Sequence, residues 1–542
     1  MRGGLALSAV ILFAACTGVT GVSPTSETEA SPTTPTSASA TTPGLTCWTS
    51  SPTGDDQGLT FVDVTEASAL IDPLIGMHGH AAIWTDVDGD DRADLYVGTF
   101  ADRPEEIYQQ RGALGPSPDR LLVSEENSFA PVDIHPNRYT RTSGGVGADL
   151  DDDGDLDLVV SSNIKDEGLE QAPTQVFENQ EGTLAAINAT GIPSDLGGRS
   201  VAVLDFDADG LLDLFVAEDR WTGGSSVLLH NEGELRFRDF TAGAGVPADV
   251  HGLGVAVADF DGDSLSDIFV AGSNRLFLSD GPGRFAEADS TVFRWEIFGD
   301  EDDVAGASVA DVNRDGLLDI AVGHHFNSTV EDGTEVSVRL YLNEGEGVFT
   351  DVTEAAGLTP LPTKAPHVEL NDFDNDGWPD LLTSASAGDR PALFRHEGLD
   401  DGVPRFTAPD GLGDVQYWVG TPSADYDRDG RLDVFLVEWE PAIPSLLLRN
   451  ETGGGNWLEV SVDPASGYGV GWRVEVFVGP DLIGAREITV TQGYSSGVQP
   501  IAHFGLGDSE EIEVVLTPPG ADPIDLGSIS ANQHIRWPNG CG

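Results

Sequence analysis

The amino-acid sequence predicts an all-β protein: a seven-bladed β-propeller followed by a small C-terminal β domain. Three observations carry this expectation. An acidic nine-residue loop recurs seven times, at intervals of 52 to 63 residues. Each copy runs straight into a short segment such as LDLVVSS or LDLFVAE, whose β-branched and aromatic residues suit a pleated strand. The 542 residues include 66 Gly and only 2 Met, a balance that favours turn-rich β structure over helix bundles.

Taken in chain order, residues 1–15 hold one Arg and an apolar run from Leu5. The run is too short to span a bilayer and has the shape of a secretory signal. Phe13-Ala14-Ala15-Cys16 resembles a bacterial lipobox, which implies cleavage before Cys16 and lipidation of its thiol, with ordinary signal cleavage as the alternative. Thr17 in place of Asp favours, by the same resemblance, an outer-membrane or cell-surface lipoprotein of a bacterium. Residues 16–46 are a Ser/Thr/Pro-rich tether with too little apolar surface to order itself, and a reach of about 30 Å. Cys47 and Cys541 then remain, one at each end of the folded part. In an oxidising compartment they would form a disulfide; two free thiols are the alternative.

The charge narrows the partners. With 27 Lys+Arg against 92 Asp+Glu, the net charge is −65. Phosphate binding needs clustered cations, so nucleic acid is excluded, and the membrane is reached only through the lipid anchor.

The recurring loop reads D-x-D-x-D-G-x-x-D. Its candidate metal ligands, at positions one, three, five and nine, are Asp86, Asp88, Asp90 and Asp94 in the first copy. Asp149, Asp151, Asp153 and Asp157 follow, then Asp205, Asp207, Asp209 and Asp213, then Asp259, Asp261, Asp263 and Asp267. The last three copies supply Asp311, Asn313, Asp315 and Asp319, then Asp372, Asp374, Asp376 and Asp380, then Asp425, Asp427, Asp429 and Asp433. Four clustered carboxylates repel one another unless a cation lies among them. An oxygen-only set with a sharp turn suits Ca²⁺, and no His or Cys recurs to suggest zinc or copper. Up to seven calcium ions are expected. An EF-hand is excluded, because position twelve is Val, Thr or Leu where a bidentate Glu is required. Asp91 and Ser264 stand where Gly is usual, which predicts a costlier turn in those two copies.

Each repeat reads as four strands, with the calcium-binding hairpin loop joining the first two. Phe61-Val62-Asp63-Val64-Thr65 matches Phe349-Thr350-Asp351-Val352-Thr353, an outer strand, and no such strand follows the seventh loop. The N-terminal copy is therefore expected to complete blade seven and latch the ring. The repeats resemble the FG-GAP or VCBS repeats of the integrin α-subunit propeller. The later segment, with Gly469-Val470-Gly471, Gly493-Tyr494 and His503-Phe504-Gly505-Leu506-Gly507, is similar to the ASPIC/UnbV domain. Together they resemble the cartilage acidic protein family and its bacterial relatives. The expected domains are 47–450 for the propeller and 451–542 for the ASPIC/UnbV-like β domain.

A ligand face is expected at the end of the ring opposite the loops. Counting eight residues back from each loop gives His78, Arg141, Gly197, His251, Asp303, Lys364 and Tyr417; the alternative is ordinary turn and surface residues. His324-His325 point to opposite strand faces and do not form a joint metal site, and His503 is read as a packed structural residue. No GxSxG, HExxH or P-loop occurs. The expected function is a non-catalytic, monomeric binding or adhesion module for an extracellular protein or polysaccharide. The alternatives are an enzyme built from Asp303 with His78 or His251, and a structural scaffold.

Overall fold

The computed structural model describes residues 44–541 except 52–57, 134–138, 165–172, 188–190, 222–223, 295–302, 326–337, 362–364, 385–391, 408–411 and 413–416. The signal segment, Cys16, most of the tether and Lys364 lie outside the described residues. One compact unit, Met1–Ser39, falls wholly in that part, and everything below belongs to the second, Ala40–Gly542.

Among the described residues, six four-stranded antiparallel sheets and four antiparallel strands of a six-stranded sheet follow the expected blade pattern along the chain. Blade one contains Gly79–Thr85, Asp94–Thr99, Arg120–Glu125 and Ser128–Val132. Its innermost strand is buried throughout, because both sheet faces are covered by neighbouring blades. The last blade packs on the first: Val64, Trp84, Leu95, Phe435 and Leu447 share one apolar cluster, and Trp84 Nε1 donates to Pro422 O at 3.1 Å. The expected latch is present. Phe61–Asp63 pairs antiparallel with Leu446–Asn450, Phe61 opposite Asn450, as the outer strand of blade seven.

Behind the ring, two four-stranded sheets enclose a second core of Leu458, Val460, Val474, Val476, Val514 and Leu516. The boundary expected at residue 47 moves. Thr46–Thr49 pairs with Gln533–Trp537, so the first strand belongs to the C-terminal domain and the propeller begins after it. Cys47 and Cys541 are joined by a disulfide with Cα atoms 4.9 Å apart. The two chain ends thus close the C-terminal domain, while the neighbouring segment closes the ring.

A side chain that recurs at the end of the third strand ties consecutive blades. Asn179 Nδ2 donates to Val87 O and Leu156 O, and Asn231 Nδ2 to Leu150 O and Leu212 O. Asn343 and Asn450 repeat the pattern on Phe260 O with Leu318 O, and Phe373 O with Leu432 O. Each amide therefore bonds its own loop and the loop of the preceding blade. Asn343→Ala is expected to cost about 2–3 kcal/mol, because it strands two buried carbonyls as well as deleting two bonds. Urea denaturation measures this; a loss below about 0.5 kcal/mol would rule the tie out as a structural element.

Candidate functional site

The seven acidic loops share one backbone design. In each, the position-six N–H donates to the position-one carboxylate, from Asp91 N to Asp86 Oδ2 at 2.9 Å in the first to Gly430 N to Asp425 Oδ2 at 2.8 Å in the last. Position nine is buried in every loop. One of its oxygens accepts the position-two N–H, and the other accepts an N–H from the third strand. Asp94, for example, takes Val87 N at 2.9 Å and Ser124 N at 2.7 Å, and Asp433 takes Tyr426 N at 3.3 Å and Asn450 N at 2.7 Å. The ninth Asp therefore fastens its loop to the sheet in addition to facing the other carboxylates.

The fold requires a left-handed residue at both positions four and six. Five loops place Gly at six and a non-glycine at four, such as Asp152 (φ 61°) beside Gly154 (φ 95°). In the two copies flagged above, Asp91 (φ 66°) and Ser264 (φ 68°) are left-handed, and the glycine has moved to position four as Gly89 (φ 72°) and Gly262 (φ 84°). Each loop carries one glycine and one strained side-chain-bearing residue, so the first and fourth are no costlier than the rest.

The donor set fits a hard cation. Carboxylate oxygens of Asp86, Asp88 and Asp90 lie within 4.8 Å of one another, as do those of Asp149, Asp151 and Asp153, and of Asp205, Asp207 and Asp213. Asp149 Oδ1, Asp151 Oδ1, Asp207 Oδ1 and Asp427 Oδ1 are buried and meet no hydrogen-bond donor among the described residues. Burial, reinforced by the neighbouring acids, pushes the Asp86 and Asp94 carboxyls up to about 7 and those of Asp157, Asp213 and Asp267 up to about 8. The loops are not equivalent. Arg395 lies 2.5 Å from Asp374, Arg431 pairs with Asp429, and Arg92 lies 3.4 Å from Asp90, so loops one, six and seven already hold a counter-charge.

The C-terminal domain sits on this loop face. Tyr468 OH donates to Gly154 O at 2.8 Å, and Arg536 Nη2 lies 2.6 Å from Asp91 Oδ1. Glu487 accepts Asp259 N at 3.0 Å, Gly507 N donates to Asn375 O at 2.9 Å, and His503 Nε2 lies 3.2 Å from Gly430 O. His503 is buried, in line with the packed position expected of it. From the same domain a hairpin, Thr491–Gln492 with Ser496–Gly497, enters the ring and pairs in parallel with Ala82 and Ile83. At its tip Gly493 bridges to Ala307, and Tyr494 packs on Leu253, Ala305 and Val419. The Tyr494 hydroxyl lies 3.4 Å from both Arg199 Nη1 and His80 Nε2. The hairpin tip thus lies inside the ring, against its inner strands.

At the opposite mouth the expected ring is only partly a surface. His78 and Arg141 are buried, while His251 and Tyr417 are half-buried. Gly197 is buried against Glu218, and Asp303 opens the inner strand Asp303–Ala310. Burial and the Arg103 charge lower the His78 pKa to about 3. Its Nδ1 meets Trp439 O and its Nε2 lies 2.8 Å from Arg103 Nη1, so both ring nitrogens are engaged. Arg141 lies 3.6 Å from Asp102 and over Phe100. His324 is buried and His325 half-buried, in line with their alternate faces. Counting residues missed Arg103, Trp439 and Trp221, which come from the loops after the second strands and have no fixed offset from the acidic motif.

Comparison with known proteins agrees with this architecture. A family model described as an FG-GAP-like repeat matches residues 149–216, 205–270, 259–322, 329–383 and 372–436, and one described as ASPIC and UnbV matches 464–517. Mouse cartilage acidic protein 1 is 28% identical over 469 residues, covering 80% of this chain and 69% of that protein. Mouse integrin alpha-IIb is 27% identical over 222 residues, covering 36% of this chain and 21% of that protein. Among solved structures, the exotype rhamnogalacturonan lyase YesX aligns over 76% of this chain and 75% of its own at 14% identity with a TM-score of 0.37, too loose a likeness to bear on activity. Acidic hairpin loops in register around a ring of four-stranded sheets, matched by the repeat model over half the chain, make this protein a member of the FG-GAP-like repeat family with an ASPIC and UnbV segment.

Proposed function

We propose that this chain is an extracellular, calcium-stiffened propeller that acts as a non-catalytic binding or adhesion module for a polymer or protein. The observation that carries calcium is the set of buried Asp oxygens without donors, converging in loops made of oxygen ligands alone. Positions one, three, five and nine are the ligands, with Asn313 serving in the fifth loop. Calcium bound there supplies charge neutralisation, and the loop residues supply its coordination. One face of the ring is covered by the C-terminal domain, which leaves the opposite mouth as the face available to a partner.

The relatives, a cartilage acidic protein and an integrin α-subunit, support a role outside the cell. The Cys47–Cys541 disulfide supports an oxidising compartment. No helix among the described residues is long and apolar enough to cross a membrane, and we assign attachment to lipidated Cys16 at a bacterial cell surface. A non-catalytic role is supported by His78, whose two ring nitrogens are both engaged and whose pKa, lowered to about 3, makes it a poor general base near neutral pH. The test is an array of cell-wall and matrix polysaccharides and proteins, probed in calcium and again in chelator. Calcium-dependent retention on at least one spot is expected; no retention on any spot would overturn the binding-module reading.

A further inference from the structure

The mouth opposite the C-terminal domain gathers aromatic rings together with arginines and acids, among them Asp102, Glu218, Asp219 and Glu438. Tyr494 forms its floor, and Trp221, Tyr417 and Trp439 are half-buried around that floor. The arginines nearby differ in one respect. Arg141 is matched to Asp102 at 3.6 Å, and Arg111 to Glu440 at 2.5 Å. Arg103 has no ion pair among the described residues; it lies over the Trp439 ring at 5.2 Å and donates to His78 Nε2 at 2.8 Å. Because His78 Nδ1 faces the Trp439 carbonyl, that nitrogen carries the proton and Nε2 is an acceptor. One N–H of Arg103 is thereby fixed, and the guanidinium is oriented with the rest of its donor fork unspent among the described residues.

We propose that this mouth binds a hexuronate residue of an acidic glycan, with Arg103 taking the sugar carboxylate and Trp439, Tyr417 and Trp221 flanking the ring. The proposal rests on the binding-module reading and names its ligand. A planar guanidinium presents paired donors to a carboxylate, and half-buried aromatic walls with few polar groups are the usual lining of a small-molecule site. An extended peptide fits less well. The backbone groups at the strand ends here are already paired: Phe100 N with His78 O, Ala101 N with Thr140 O, Asn163 N with Arg141 O, and Trp439 N with Tyr417 O. No strand edge is left at those positions for a peptide to extend, so recognition falls to side chains. The overall negative charge is screened beyond about 8 Å at physiological salt, so it does not prevent a local contact of this kind.

The test is calorimetric titration of the whole chain in calcium at 0.15 M salt. The probes are tetragalacturonate, its full methyl ester, a glucuronate-containing tetrasaccharide, a neutral tetrasaccharide and an acidic pentapeptide. Binding of at least one uronate probe is expected, with at least a tenfold loss for the methyl ester or neutral sugar and none detected for the peptide. Arg103→Gln should weaken the uronate tenfold or more at an unchanged melting temperature. Equal affinity for acid and ester on the unaltered protein overturns the proposal without recourse to any variant. Unweakened binding by a folded Arg103→Gln, peptide binding in place of glycan, or no binding by any uronate also overturns it. If the array retains another polymer or protein while every uronate fails, this inference falls alone; an empty array removes the module reading as well.

Discussion

Removal of divalent cations by a chelator is expected to lower the melting temperature by roughly 10 °C or more, and re-addition of calcium to restore it. A ligand held at about 100 times its Kd adds about 2.7 kcal/mol per site, so even a few occupied loops reach roughly 8 kcal/mol. In a unit this large each kcal/mol moves the midpoint by only about 1–2 °C. The loss should not stay local. The C-terminal domain is held through Gly154, Asn375 and Gly430 carbonyls and the Asp259 amide, all within the acidic loops. Loops that relax without a cation should therefore release the domain, and hydrogen exchange should rise in Thr491–Gly497 together with the loops. Loops one, six and seven, with Arg92, Arg395 and Arg431 beside their acids, should be filled last. Calorimetry in chelator and in calcium decides this, and an unchanged midpoint would sink the calcium assignment.

The pH dependence of the stripped protein has a definite sign. Burial holds the Asp157, Asp213 and Asp267 carboxyls near 8 and Asp94 near 7, against about 3.9 in the unfolded chain. The folded state thus binds more protons than the unfolded state between those values. These groups favour folding toward the low end of that window, and the contribution is lost as pH rises through about 7 to 8. Calcium reverses the trend, because protons compete for the same oxygens. In chelator the midpoint should fall between pH 5 and 8, whereas in calcium it should hold or rise.

The parts of the fold legible in the sequence were those enforced by local chemistry. An Asp spacing that only a metal-type loop requires marks each blade, and Phe61-Val62-Asp63 announces itself as an outer strand by matching Phe349-Thr350-Asp351. The Asn ties were also visible, in the recurrence of Asn231-Glu-Gly, Asn343-Glu-Gly and Asn450-Glu-Thr, but their role depends on a carbonyl of another blade. The ring of ligand positions was harder to place, because counting back assumes straight strands. The first strands bulge between Gly79 and Ala81, Thr142 and Gly144, Gly252 and Gly254, and Val304 and Ala307. A bulge re-aims every side chain beyond it. Thr46–Thr49 and the channel hairpin carry no periodicity of their own; they are short strands whose partners lie several hundred residues away in the chain.

That hairpin carries the second large effect. Tyr494→Ala is expected to destabilise the protein by about 3–5 kcal/mol, the range for removing a large buried ring from a site that cannot collapse. Collapse is prevented here by the surroundings, since Leu253, Ala305 and Val419 reach the ring from three different blades whose spacing is set by the closed circle. Tyr494→Phe keeps the ring and gives up the hydroxyl contacts to Arg199 and His80, so its cost should be about 1 kcal/mol. Neighbouring Gly493 allows the approach: at φ 61° its added Cβ would lie 2.5 Å from the His367 ring and from Val368 O, so Gly493→Ala should behave like the loss of the plug. Chemical denaturation with hydrogen exchange on Gly79–Thr85 and Asp303–Ala310 separates a loosened plug from general instability. A loss below about 1 kcal/mol for Tyr494→Ala would mean that the C-terminal domain rests on the ring without sealing it. A loss in the expected range would make the mouth around Arg103 and Trp439 a blind pocket floored by the other domain, so that the ring and the ASPIC and UnbV segment form one binding structure.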